Sequence, residues 1–507
     1  MGITSLSIPE NTSSYVIPAI LLALTTYLSW TLYNAFLGPL STIPGPWLAR
    51  FTRLWELREV LRGHFERTNI DLHKQHGPIV RISPSKFSIS DPTAVKTLYA
   101  AGTKFAKSDF YRPFGDPDQR KSNVFSVMDM HAHGQMRKKV AALYSMSTLV
   151  GYEEFVNRCN VTLCGKLGEF AREGRSFEVQ NWMQFYAFDV IGEITTSQSF
   201  GLMEQGQDTR GILSGIHQSL VYGSRVGIFP ELHIWLAGFA RLTRQEIPFH
   251  AVQNWILTQI RSRSGGPDSS PQSSSSGRPD FLTKLLALRK ADKVTDVDLE
   301  STIGANIGAG SDTTSISLSS VIYYLCRNGG AERQLYEEIE VFESEGRLSD
   351  PVMFEEARQM PYLQACIKEA LRLHPAVGRP LLRTVPHGGA TIAGRYLPAG
   401  ATVGINAWVL HRNEAIFGDD VEEFRPERWL QEDKAKLSLM EQNFLAFGAG
   451  SRTCIGKNIS LLEMSKVIPQ LYRKFEFQLA EPGEWKTSED WFVKQQFKCY
   501  VKLRSGR

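Results

Sequence analysis

FLAFGAGSRTCIG, residues 444–456, sets one cysteine, Cys454, among glycines, an arginine and two phenylalanines. The nearest other cysteine is Cys499, so no paired-cysteine metal spacing surrounds it. Gly450 and Gly456 permit a tight turn and a close approach of backbone to a large flat group. Phe447 can shield the sulfur, and Arg452 offers a planar cationic fork for a carboxylate. Two readings stay open on this stretch alone. Cys454 is either an inert buried thiol beside a glycine turn or a thiolate that ligates iron and pushes electron density onto it.

Working outward, the composition is that of an ordinary globular protein, with 42% hydrophobic and 22% charged residues in 507. A net charge of +4 is small for this length and gives no ground for nucleic-acid binding. The other cysteines (Cys159, Cys164, Cys326, Cys366 and Cys499) form neither a secreted disulfide framework nor a zinc spacing, and read as small buried hydrophobes in a reducing compartment. From Asn11 to Ala49 no residue is charged, and Tyr15–Leu37 is long and apolar enough to cross a bilayer. Met1–Glu10 lacks the basic residues of a cleaved signal, so the segment reads as an anchor. Glu10 precedes it while Arg50, Arg53, Arg58 and Arg62 follow, which puts residues 1–14 in the lumen and the bulk of the chain in the cytosol. The sequon at Asn11 would be lumenal but close to the membrane; those at Asn160 and Asn458 would face the cytosol.

Residues 38–47 carry Pro44-Gly45-Pro46 and form a stiff hinge, and residues 48–507 form one catalytic domain. Pro78–Ser90 alternates around a Ser-Pro turn and predicts a β-hairpin. Pro92 to Cys326 is mostly helical, interrupted by the Ser/Gly/Pro-rich stretch Arg263–Asp280. Short strand-like runs follow His374, including 390–394 and 401–410. The fold class is mainly α with a minor β region. Thr295 with Asp298 predicts a capping box, and Asn328-Gly329-Gly330 a stop; the helix between them would be about 45–50 Å long. Pro361 opens a second helix that closes before Pro375.

The middle of the long helix, GAGSDTTS (308–315), is poor helix-forming sequence. Thr313 can turn its hydroxyl back to the carbonyl of Ala309, and Asp312 beside it can supply protons. Gly308 and Gly310 leave room for a flat group against that turn. Glu369 and Arg372 share one helical face, and Arg428 in FRPERW (424–429) can join them to lock distant segments together.

Four features, AGSDTT (309–314), EALR (369–372), PERW (426–429) and FGAGSRTCIG (447–456), resemble the cytochrome P-450 superfamily in its order. Every fixed position of the family's haem signature, F-x-x-G-x-R-x-C-x-G, is present. The overall pattern is similar to the fungal microsomal branch, with its pisatin-demethylase-like and other natural-product enzymes. The resemblance implies the cytochrome P-450 fold, haem b, and Cys454 as axial ligand to the haem iron. It implies Asp312 and Thr313 as the acid–alcohol pair of oxygen activation, and Glu369, Arg372 and Arg428 as the structural triad behind the haem. Arg452 is expected on a propionate, with Arg137 and Arg383 as further candidates. His133 stands where many members have Trp; the His131/His133 pair would suit a metal only weakly. Trp429 replaces the usual Phe.

The implied reaction inserts one oxygen atom from dioxygen into a lipophilic substrate in secondary-metabolite biosynthesis, at the endoplasmic reticulum membrane. Electrons would come from NADPH through NADPH-cytochrome P-450 reductase, docking near Lys138, Lys139 and Lys457. Two rival readings, a haem-thiolate isomerase or dehydratase and a non-enzymatic haem-binding membrane protein, have less use for Asp312 and Thr313. The expected pocket walls are Tyr111–Phe125, the Phe200–Phe239 region, the helix near Asn306, the stretch after Pro375, and Trp491–Phe492.

Overall fold

A computed structural model describes residues 12–118, 122–243, 250–264, 279–483 and 485–504. The tail up to Asn11, expected to be lumenal, and most of the Ser/Gly/Pro-rich stretch lie outside these residues.

The long helix runs Asp296–Arg327 and organises the helical core. Its capping box forms as the sequence predicts: Thr295 Oγ1 accepts from the Asp298 amide at 3.1 Å, and the Asp298 carboxylate accepts from the Thr295 amide at 2.9 Å. At the other end Asn328 caps the helix, but the two glycines form no loop. Gly329 is already the first residue of the next helix, Gly329–Ser344. From Ser311 to Tyr323 every residue of the long helix is buried except Thr313. Leu318, Val321, Ile322 and Leu325 are fully enclosed, each contributing about 1.5–3 kcal/mol by burial. Helices Val179–Thr196, Pro361–Leu373 and Lys457–Lys474 pack around it. Thr314 Oγ1 meets Ser460 Oγ at 2.9 Å, which ties the long helix to the helix that follows Cys454.

The β region is minor. Ile79–Ser83 and Lys86–Ile89 form the expected hairpin; Thr402–Ile405 adds parallel to it and Arg383–Thr384 closes the edge antiparallel. The predicted strand over 401–410 is shorter than its apolar run. At Asn406 the side chain accepts from the Trp408 amide at 3.0 Å, and Ala407–Leu410 turns helical. A second hairpin pairs Lys486–Glu489 with Val493–Gln496. Near the C-terminus Lys498–Leu503 lies between Phe475–Leu479 and Phe177–Glu178.

The apolar N-terminal segment is one helix, Thr12–Phe36, starting three residues before the predicted boundary and ending one before it. Its described side chains are almost all exposed. After it, Arg50 Nη1 donates to the carbonyls of Ala35 (3.1 Å) and Ser41 (2.8 Å), and the Arg81 amide donates to Pro44 O (2.8 Å). The proline hinge is therefore clamped to both the helix end and the first strand.

Candidate active site

Cys454 precedes the helix Lys457–Lys474 in a loop closed by its own amide, which donates to Phe447 O at 2.8 Å. Thr453 Oγ1 donates to the same carbonyl at 3.2 Å. Cys454 itself is exposed. Burial pushes its thiol pKa up. The Gly456 amide, the Arg137 guanidinium and the Lys457 amide act the other way and favour the thiolate that a metal needs. Gly450, at φ +62°, would put a Cβ 1.6 Å from Tyr99 O. Its need for glycine thus comes from contact with the backbone at Tyr99 rather than from a flat ligand. Gly456 has negative φ, and its Cβ would stand 4.0 Å from the Cys454 sulfur, so no backbone strain requires glycine there.

On the long helix Thr313 Oγ1 donates to Ala309 O at 2.8 Å, as its position predicts, and the helix stays continuous through it. Ala309 is exposed and Thr313, one turn on, is half-buried, the one residue from Ser311 to Tyr323 that is not buried. Asp312 points elsewhere. Its carboxylate is buried, Oδ1 accepts from Gln184 Nε2, and Lys494 Nζ stands 3.1 Å from Oδ2. The carboxylate and the hydroxyl are adjacent in sequence and are not hydrogen-bonded to each other.

Arg137, Arg383 and Arg452 come together around one cavity of about 240 Å³ that Tyr99, His133 and Gly450 also line. Arg452 donates to the carbonyls of Val127 (2.7 Å) and Met128 (3.1 Å); Arg137 to Thr453 O (2.8 Å); Arg383 to Leu382 O (2.9 Å). Lys107, which the sequence reading missed, is buried beside them with its ammonium 4.0 Å from the Tyr111 ring and 3.7 Å from that of Phe125. A lysine inside an aromatic-rich segment was its only signal. Among the described residues no carboxylate forms an ion pair with Lys107, Arg137, Arg383 or Arg452. The surplus charge shows: Lys107 is pushed well below the usual lysine range by burial, then by Arg383 and Arg452. His133 falls to about 3 through burial and the same cations and is therefore neutral. A flat cofactor carrying two carboxylates fits this cluster, because it brings the negative charge the site lacks. His131 is exposed, and no metal-binding cluster exists among the described residues.

Glu369, Arg372 and Arg428 are fully buried and joined. Arg372 makes a bidentate pair with Glu369 (2.9 and 2.8 Å), and Arg428 Nε reaches the same carboxylate at 3.2 Å. Arg372 also donates to the carbonyls of His411, Val421 and Glu423, pinning the chain that leads to the cysteine loop.

Of the expected pocket walls, Phe110, Tyr111, Phe114, Phe125 and Trp491 form one aromatic cluster, with Ile316 and Phe492 beside it. Two expectations fail. Phe200 packs on Trp255 (ring centroids 4.5 Å) within the helical core, and Phe239 is exposed on the helix Leu232–Leu242. Asn306 accepts from Tyr144 Oη, turned into the core. Of the docking lysines, Lys139 is already paired with Asp298 (2.7 Å), while Lys138 and Lys457 are exposed.

Known proteins match this chain along most of its length. The family model for cytochrome P450 matches residues 43–503. The chain is 40% identical to a pisatin demethylase of Fusarium vanettenii over 94% of its length and 93% of the relative's. It is 34% identical to cytochrome P450 monooxygenase gsfF of Penicillium aethiopicum, covering 96% and 98% of the two chains. With cytochrome P450 monooxygenase cicH of Emericella nidulans it shares 35% identity over 92% and 94%. The chain belongs to the cytochrome P450 family, and its activity is that of a haem-thiolate monooxygenase.

Proposed function

We propose that the protein is a membrane-anchored monooxygenase that binds haem b through Cys454 and oxidises a lipophilic small molecule of fungal secondary metabolism. The observation that carries this reading is a cavity lined by Arg137, Arg383 and Arg452, none of them paired with a carboxylate among the described residues, beside the loop that carries the exposed Cys454, to which Arg137 is tied through Thr453 O. Arg137, Arg383 and Arg452, with Lys107 and His133, would hold the propionates. Haem bound there would supply the reductive activation of dioxygen and the transfer of one oxygen atom. The chain's own part is to hold and move protons. Thr313 presents a hydroxyl on the long helix one turn from the exposed Ala309, and Asp312, one residue away, is the acid that replenishes it. The aromatic cluster around Tyr111 and Trp491 excludes water and favours an apolar substrate.

NADPH-cytochrome P-450 reductase is the electron donor in this reading, approaching the face that carries Lys138 and Lys457. The Thr12–Phe36 helix would anchor the chain in the endoplasmic reticulum membrane with the catalytic domain cytosolic. A second apolar surface supports membrane attachment. The helix Leu232–Leu242 exposes Ile234, Trp235, Phe239 and Leu242. Arg53, just past the anchor, donates to Ile228 O at 3.1 Å, pairs with Glu231 and lies 4.5 Å over the Phe229 ring, so this helix sits at the anchor's base.

The test is co-expression with the reductase and incubation with lipid extract from a source strain lacking the gene, read by mass spectrometry with and without NADPH. A product one oxygen heavier, formed only with NADPH and lost in Thr313→Ala, supports the reading; so does loss of CH2, since one relative is named a demethylase. A product of unchanged mass formed without NADPH sinks it.

A further inference from the structure

Asp312 can serve as a proton source only if it is recharged, and its carboxyl group is sealed, at 1% exposure. Its two oxygens differ. Oδ1 is committed to the amide of Gln184, which can orient a carboxylate but cannot bring it a proton. Oδ2 accepts no hydrogen bond, and among the described residues the cation that pairs with it is Lys494 Nζ, 3.1 Å away and off the hydrogen-bond line. Lys494 lies in the strand Val493–Gln496. Its neighbour Gln495 docks that strand on the long helix, donating to Ile316 O (3.1 Å) and Ser320 Oγ (2.7 Å). The Lys494 side chain is 21% exposed. It therefore touches both the buried carboxylate and water.

We propose that Lys494 is the positioning residue for proton supply: it holds the free oxygen of Asp312 toward solvent, on the side away from Gln184. This rests on the reading of Asp312 and Thr313 as the proton-delivering pair. In each cycle the carboxyl O–H bond breaks as its proton passes to the Thr313 hydroxyl, which gives up its own proton toward the reacting group, and a new O–H bond forms on Oδ2 with a proton from a solvent hydronium ion, which leaves as water. Lys494 keeps its own charge throughout and neutralises the carboxylate between the two events.

The test uses the full-length enzyme reconstituted with reductase, comparing Lys494→Met, Lys494→Arg and Asp312→Asn. Three quantities are read: product and hydrogen peroxide formed per NADPH, the solvent deuterium isotope effect on product formation, and the infrared difference spectrum of the carboxyl region. Lys494→Met is expected to lower product per NADPH by roughly tenfold with a matching rise in peroxide, and to enlarge the isotope effect. Lys494→Arg restores both. A buried carboxylate stripped of its cation takes up a proton, so Lys494→Met minus wild type shows a protonated-carboxyl band that vanishes when Asp312→Asn is added. Should methionine prevent folding, Lys494→Gln replaces it. If the lysine variants keep wild-type coupling, isotope effect and spectrum while Asp312→Asn alters coupling, Lys494 has no such role and the acid–alcohol pair stands. If Asp312→Asn also couples normally, the pair itself is wrong and the inference falls with it.

Discussion

The indole Nε1 of Trp429 donates to Glu369 Oε2 at 2.8 Å, inside the buried triad. Phenylalanine, the residue usual at this position, cannot make that bond. Glu369 thus receives Arg372 twice, Arg428 once, the Arg425 amide at 3.2 Å and this indole. Trp429→Phe keeps the ring's packing against Phe444 and leaves one carboxylate oxygen short of a donor. The expected loss is about 1–2 kcal/mol, seen as a lower urea midpoint at unchanged slope. An unchanged midpoint would mean that the bond contributes nothing.

Removing a whole partner should cost more. Arg428→Ala leaves the buried Glu369 with one arginine where it has two, and takes from Asp420 a partner at 2.6 Å. A loss of about 3–5 kcal/mol follows. It should appear as protein that no longer incorporates haem, measured by the ratio of Soret to protein absorbance. Normal incorporation would show that the triad is dispensable to the cysteine loop.

Among the described residues Lys107 forms no ion pair; it donates to Phe125 O and lies over the Tyr111 and Phe125 rings, which leaves its charge available to a bound carboxylate. Lys107→Met should speed haem loss roughly tenfold, followed as transfer to excess apomyoglobin. A wild-type rate would remove Lys107 from the propionate site.

Glu66 and Glu489 are buried, accept no hydrogen bond at either oxygen, and are each raised to about 7 by burial. Arg67 and Arg412 oppose the shift at Glu66, and Arg379 at Glu489, where Glu66 and Asp490 add to it. The folded chain therefore holds protons that the unfolded chain releases near the ordinary 4.5. Their stabilisation is complete below about pH 4.5 and is lost as pH rises through about 7. Stability should fall across that window by up to about 3 kcal/mol per group. Urea midpoints at several pH values check the slope, which Glu66→Gln with Glu489→Gln should flatten. A slope unchanged in the double variant would assign it to other groups.

The exposed helix Leu232–Leu242 should hold the catalytic domain to lipid without the anchor. A form starting at residue 39 is expected to float with vesicles, and Trp235→Glu with Phe239→Glu to leave it in the soluble fraction. Equal flotation of both forms would exclude this helix from the membrane surface.

Local chemistry made much of this protein readable from its sequence. The capping box at Thr295, the proline at the start of Pro361–Leu373, the Thr313 back-bond and the hairpin around Ser83–Lys86 depend on residues within a few positions of one another. The cysteine loop and the charged triad were legible through their resemblance to the family's motifs; spacing alone left the role of Cys454 and the place of Arg428 open. What the tertiary structure alone decided concerns side chains brought together across long stretches of chain. Lys107 joins Arg383 and Arg452 only because a short bridge pairs Lys107 with Arg383. Asp312 meets Lys494 rather than Thr313 because side chains at successive helical positions point about 100° apart, and the C-terminal hairpin packs on the face that Asp312 takes. Phe200, in the loop after Val179–Thr196, packs on Trp255 of the helix His250–Ser264, a contact across more than fifty residues that its own neighbours do not announce. Periodicity says that a residue is buried; which partner buries it is set by how the helices and the hairpin close on one another.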